Sequence, residues 1–360
     1  MITSVQLQEF KGHRDSTVAL GRFTVLVGPN GSGKTSVLEA LSLQSHVVNY
    51  TFHEVLRGDS SPGDLLCRGA QGPIVLGSSG TWDDEAWSFR TVFTGSSMEN
   101  HWNRGRDDRH WTGTGHLPLR ESVPLIDKIL PPATLHKLNA ERIAAAAYSD
   151  DLAPGVGYDG ANTAVALASI KLGHDEMFER IEDSIRQIIP NVERVRIRQA
   201  KVQRPSPSMP QRAEEVVGSK VFFDFRGAPG VPAHAASEGT LITLALLTVL
   251  YGPSRPNLLL LDDFAESLHP QAQMDLVRLF KRMLNEFSDL QIVATTHSPY
   301  ILDELEPSQV VAFALRKDGT VALKRLSDHP QAEQMTGALS TGQLWSLDPE
   351  RDWVLAETDP

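Results

Sequence analysis

The sequence predicts an α/β fold built round a mostly parallel sheet, and three stretches carry that prediction. Phe23–Val27 is a short apolar run that enters the turn Gly28-Pro-Asn-Gly-Ser-Gly-Lys34-Thr35 and leaves it as a helix from Ser36. Leu258–Leu261 is four leucines closed by the paired acids Asp262 and Asp263. Ile292-Val-Ala is a further apolar run, followed by Thr295-Thr296-His297-Ser298-Pro299. Strands buried on both faces of a parallel sheet read as such unbroken apolar runs, and their carboxyl ends are where ligands collect.

Ahead of the turn, Ile2–Phe10 alternates apolar and polar residues and predicts a strand, and Val18–Val27 a hairpin-like pair of strands. The turn itself fits the phosphate-binding pattern G-x-x-x-x-G-K-[ST] in the strand–loop–helix setting that the pattern requires. Asn30, Gly31, Ser32, Gly33, Lys34, Thr35 and Ser36 would wrap phosphate oxygens in backbone N–H groups at a helix N-terminus. Lys34 would reach the β/γ-phosphates of a nucleotide, and the Thr35 hydroxyl would hold Mg²⁺.

From about His46 the character changes. Residues 57–120 are rich in Gly, Ser, Asp and Trp, with strands expected at Ile74–Leu76 and Trp87–Phe93 and a polar, Trp-bearing loop at His101–Gly115. Asn162–Ile189 has helical spacing and is stopped by Pro190; Val192–Val202 and Val216–Phe225 read as strands round a loop or hairpin tip at Pro205–Pro210. No repeat and no long heptad run appears. The expected division is an N-terminal β lobe with the loop (1–45), an inserted α+β region (46–215), a C-terminal lobe (216–326) and an acidic tail (327–360).

The composition of the 360 residues, 41% hydrophobic and 22% charged, is that of a soluble globular chain. The longest apolar run, Leu241–Tyr251, is interrupted by two threonines and is far short of the roughly 20 residues that span a bilayer. No leader pattern opens the chain, and Cys67 is its one cysteine, so the expectation is a cytoplasmic protein without disulfides or a cysteine-based zinc site. A net charge of −11 argues against a surface uniformly coating nucleic acid. A local basic track (Arg194, Arg196, Arg198, Lys201, Arg204) leaves either a solvated sheet face or a nucleic-acid contact open.

Further motifs narrow the class. Ala236-Ser237-Glu238-Gly239-Thr240 opens an apolar helix shortly before the paired acids, the layout in which a Ser hydroxyl, a Gly N–H and a helix dipole meet a phosphate. Asp263-Phe-Ala-Glu-Ser-Leu-His269-Pro270 follows the acid pair, and His297 follows the next strand. With Ile2–Lys11, Leu26–Leu41, Leu260–Pro270, Ala294–Pro299 and the stretch from Asn139 through Asp159-Gly160 to Pro190, the chain resembles standalone ABC-type ATPases related to the SMC, RecF and OLD heads. It is most similar to the short AAA-labelled members of bacterial defence systems, such as the Septu, PARIS and retron-associated ATPases.

The resemblance implies a P-loop NTPase fold of ABC ATPase-head type: a mostly parallel core sheet, an N-terminal antiparallel β-subdomain and an inserted α/β lobe. It implies ATP and Mg²⁺ as ligands, with Asp262 and Thr35 at the metal. Asp263 would orient the attacking water, and His297 would sense the γ-phosphate. The site would be completed by Ser237 and Gly239 of a second copy in a head-to-head homodimer or larger homo-oligomer. The stretch beyond His297 is too short for an OLD-type nuclease domain, so a separate effector protein is expected as partner, and no membrane. The alternatives are a RecF-like repair ATPase binding duplex DNA through the 194–204 track, or an adaptor that holds ATP with little turnover. Two departures stand out: Asp263 replaces the Glu of many relatives and is one methylene shorter, and Gln44 is a weak candidate for a Q-loop better explained by helix packing.

Overall fold

The computed structural model describes residues 1–48, 62–67, 69–70, 72–94, 97–113, 123, 126–131, 133–205, 213–334 and 337–356. From the N-terminus, β1 (Ile2–Phe10), β2 (His13–Ala19) and β3 (Phe23–Val27) precede helix α1 (Lys34–Val47). A meander follows: β4 (Ile74–Trp82), β5 (Glu85–Thr94), β6 (Ser97–Arg104) and β7 (Asp107–Gly113). The chain then runs through β8 (Leu135–His136), α2 (Thr163–Gly173), α3 (Asp175–Ile188), β9 (Val192–Pro205), β10 (Ala213–Phe225), β11 (Ala228–Pro232) and α4 (Glu238–Tyr251). It closes with β12 (Leu258–Leu261), α5 (Pro270–Glu286), β13 (Gln291–Thr295), β14 (Val310–Leu315) and β15 (Val321–Arg325).

These elements form two compact units. The first holds Met1–Leu135, Asn257–Asp263 and Phe287–Pro360. Its antiparallel sheet has the order β2-β1-β4-β5-β6-β7. Its second sheet runs β15-β14-β3-β13-β12, with the two-residue β8 at the edge where the chain leaves the unit. β12, β13, β3 and β14 are mutually parallel, and β15 pairs with β14 antiparallel. Helix α1 lies between the two sheets: Val37, Leu38 and Leu41 join one core with Val5 and Leu7 of β1, Leu76 of β4, Leu258 and Leu260 of β12, and Val293 of β13. The apolar runs at 258–261 and 291–295 are buried at every position, which is why no alternation was visible in them.

The region expected to be a loop at His101–Gly115 is instead the β6–β7 hairpin as far as Gly113; residues 114 and 115 lie outside the described set. Trp102 is 1% exposed and stacks on Trp87 with ring centroids 5.9 Å apart. That aromatic pair gives the polar hairpin its hold on the core. Of the expected tip at Pro205–Pro210, Pro205 ends β9 and 206–210 lie outside the described residues. The chain's last described helix, Glu350–Val354, buries Trp353 and Val354 against β14.

The second unit holds His136–Pro256 and Phe264–Glu286. Its three-stranded sheet, β11-β10-β9, packs α2 and α3 on one face. Phe178, Ile181, Ile185 and Ile188 form the buried stripe of α3, at the spacing read from the sequence. Every residue of α4 from Gly239 to Tyr251 is buried, so this helix is apolar all round because it is a core element. Among the described residues, no helix is long and apolar enough to cross a membrane.

Candidate nucleotide-binding site

In the first unit, β3 delivers the chain into the glycine-rich loop and α1 leaves it. Two glycines are sterically required. Gly28 has φ 140°, and a Cβ there would lie 2.5 Å from the Phe313 carbonyl oxygen. Gly33, the residue before α1, has φ 92°, and its Cβ would lie 2.6 Å from His13 Nε2. Neither position admits a side chain. The loop opens onto a pocket lined by Asn30, Gly31, Ser32, Gly33, Lys34, Thr35 and Ser36, with Asp263 and His297 opposite and Lys11 and Gly12 at one side.

Lys34 is 5% exposed, and its ammonium donates to the carbonyls of Gly28 (2.8 Å) and Pro29 (3.0 Å), curling over the loop. Thr35 Oγ1 donates to Asp262 Oδ1 at 2.8 Å. Asp262 sits at the carboxyl end of β12, 4% exposed, and also accepts from Thr295 Oγ1 at 2.9 Å. The same Thr295 hydroxyl accepts from the Asp263 backbone N–H at 2.7 Å and lies 3.3 Å from Asp263 Oδ1. Asp263 has φ 49°, a left-handed conformation that Asp tolerates better than most residues, and its carboxylate is 3.9 Å from His297 Nε2. The donor set fits a magnesium nucleotide: backbone N–H groups and an ammonium for phosphate, and the hard oxygens of Thr35 and Asp262 for the cation.

The remaining residues singled out in the sequence fall elsewhere. Ser237 and Gly239 belong to the second unit, where they line a depression with Ile188–Pro190 and Ser267–Asp275. Ser237 caps α4, its Oγ accepting from Thr240 N–H at 3.3 Å. A Cβ on Gly239 would come within 2.9 Å of Leu268 Cδ2 and 3.1 Å of the Ser267 carbonyl oxygen, so the residue is glycine because the loop after the paired acids crosses it closely. Gln44 is buried, bonding Ser78 Oγ and lying 3.5 Å from the Phe89 carbonyl oxygen; it packs α1 against β4 and β5. On the basic strand β9, Arg196 pairs with Asp224 at 2.5 Å and holds that carboxyl below its ordinary range. Lys201 pairs with Glu215 and Arg204 with Asp150. Arg198 covers the Phe222 ring at 4.6 Å, and Arg194 stands across from Asp224 in the strand register.

Sequence reasoning missed Thr295, Lys11, Gly12 and His13. Thr295 was visible as the last residue of its apolar run, directly before the predicted histidine motif. The other three sit in the β1–β2 turn, brought to the loop by tertiary contacts such as Val321 N–H to the Gly12 carbonyl at 3.0 Å, for which no local signal exists.

The fold is similar to that of SMC ATPase heads. Among solved structures, an SMC head bound to the C-terminal winged-helix domain of ScpA superposes with a TM-score of 0.62 over 91% of this chain and 98% of that one, at 14% identity. An SMC head from Pyrococcus furiosus with an extended coiled coil, bound to the ScpA C-terminal domain, gives 0.55 over 94% and 98%, also at 14% identity. Residues 1–56 match a family model described as "AAA ATPase domain", and residues 132–303 match one described as "AAA domain, putative AbiEii toxin, Type IV TA system". The two models together cover the loop and the segments that carry Ser237, Asp262, Asp263 and His297. It is similar to the Septu protein PtuA of Bacillus thuringiensis, 33% identical over 69 residues, a match spanning 19% of this chain and 17% of that protein.

Proposed function

We propose that the chain binds MgATP in the P-loop of its first unit and hydrolyses it where two copies meet, acting as an ATP-gated sensor and scaffold for a separate effector in anti-phage defence. The observation that carries this reading is the contact of Thr35 Oγ1 with Asp262 Oδ1 at the mouth of a glycine-built phosphate cradle. The local likeness to PtuA supports the defence role. When bound, Mg²⁺ neutralises the charge on the β- and γ-phosphate oxygens.

Lys34 exchanges the carbonyls of Gly28 and Pro29 for the β/γ-phosphates. Loop N–H groups and the α1 N-terminus add further positive potential. Asp263 orients the attacking water, and His297, across the pocket, contacts the γ-phosphate. Ser237 and the Gly239 N–H of the partner copy, at the N-terminus of its α4, complete the far side. Asp263 is one methylene shorter than Glu and is held by Thr295, which favours long-lived ATP occupancy over fast turnover.

Complementation between two inactive variants tests the shared site. Lys34→Ala removes the phosphate grip, and Ser237→Ala keeps ATP binding and loses turnover. Mixing the two regains ATPase activity, because one site of the mixed dimer then has both halves intact. Wild-type turnover by Ser237→Ala alone would sink the composite site.

A further inference from the structure

Thr295, at the end of β13, touches both of the paired acids at once. The parallel register that sets Leu261 beside Ala294 brings together the next residue of each chain segment, Asp262 after β12 and Thr295 in β13. Thr295 is fully buried, 0% exposed, at the end of a strand buried at every position. Valine has the same branched shape and suits such a strand equally well, so what threonine adds here is its hydroxyl. That hydroxyl accepts the Asp263 backbone N–H at 2.7 Å. Its single hydrogen then goes to Asp262 Oδ1 at 2.9 Å, in preference to the more distant Asp263 Oδ1 at 3.3 Å.

The consequence is a fixed order of donors. The Asp263 N–H donates to Thr295, Thr295 donates to Asp262, and Thr35 Oγ1 donates to the same Asp262 oxygen at 2.8 Å. Oδ1 of Asp262 therefore takes two hydroxyl hydrogens, one from α1 and one from β13. A carboxylate held by two such charge-assisted bonds cannot swing away without breaking one of them. While it donates its hydrogen, Thr35 Oγ1 keeps lone pairs for a cation. The Thr295 hydroxyl thus ties the oxygens that suit a cation to the parallel sheet. Through the same atom it anchors the peptide of Asp263, whose left-handed φ of 49° persists only with support from its surroundings.

We propose that Thr295 is a positioning residue that holds Asp262 in place for the Mg²⁺ of a bound nucleotide. The proposal rests on the reading of the loop as a magnesium-nucleotide site. The test titrates Mg²⁺ into the full chain and its variants with the fluorescent analogue mant-ATP, and repeats the mant-ATP titration in EDTA. Thr295→Val keeps the shape and removes the hydroxyl, and Thr295→Ala removes it without setting a second methyl against Asp262. Both raise the Mg²⁺ concentration at half-effect about tenfold, the loss expected when a partner of a metal-binding group is removed. Thr295→Ser restores the hydroxyl and lies within about threefold of wild type. In EDTA all three bind mant-ATP as the wild type does, because the grip of the loop and Lys34 on phosphate does not pass through Thr295. A wild-type Mg²⁺ midpoint in both Thr295→Val and Thr295→Ala overturns the proposal, as does Thr295→Ser behaving like Thr295→Val. An equal loss of mant-ATP affinity in EDTA overturns it too, since Thr295 would then shape the whole pocket. A wild-type chain that binds no mant-ATP, or binds it without regard to Mg²⁺, instead removes the magnesium-nucleotide reading, and the proposal falls with it.

Discussion

The buried histidines give the residue scale a measurable signature. His13 and His136 are almost wholly inaccessible, and burial lowers both pKa values, against the smaller opposing effect of their bonds to the carbonyls of Gly33 and Gly157. Both are therefore neutral in the fold, while the unfolded chain takes up protons near pH 6.5. The stability they contribute is complete above that pH and is lost as pH falls below it, because the unfolded state then binds more protons. Each contributes a slope of up to about 1.4 kcal/mol per pH unit between the unfolded and folded pKa values. Urea midpoints at about pH 7.5, 6.5 and 5.5 should fall in that order, across a range where carboxylates with ordinary or lowered pKa stay ionised. A flat profile would show that neither ring is held neutral.

At the scale of elements, the β6–β7 hairpin depends on its tryptophan anchor. Trp102→Ala empties a buried site on β6, one strand in from the edge of the antiparallel sheet, and should cost about 3–5 kcal/mol, read as a lowered denaturant midpoint with an unchanged slope. The same hairpin shows where the sequence became illegible. Met98, Asn100 and Trp102 point inward and Glu99, His101 and Asn103 outward, a true period of two, but the middle inward residue is polar. Asn100 is buried because its Oδ1 accepts from Thr91 Oγ1 at 2.8 Å on the neighbouring strand, a pairing no local pattern announces. By contrast, β3, β12 and β13 could be read directly, since each is an unbroken apolar run ending in chemistry-bearing residues. The loop, Asp263 and His297 line one pocket, and Asp262 joins them through its bond from Thr35. What supports them from below (His13, Phe313, Val321) is assembled from distant strands and was invisible.

For the whole molecule, the proposed two-copy site makes association depend on nucleotide. Asp263→Ala should bind MgATP without turning it over, so ATP should convert this variant from monomer to a persistent dimer in sedimentation velocity. Lys34→Ala should stay monomeric at the same concentration. A Lys34→Ala dimer equal to that of Asp263→Ala would mean that association does not run through the loop. The division into two units also has a spectroscopic consequence. All six tryptophans of the chain (Trp82, Trp87, Trp102, Trp111, Trp345 and Trp353) lie in the first unit, whereas, among the described residues, four of the five long helices lie in the second. Indole emission therefore reports on the unit that carries the glycine-rich loop, while far-ultraviolet circular dichroism is weighted toward the other. The chain carries two native labels, one per unit, that can be followed side by side through a single unfolding curve.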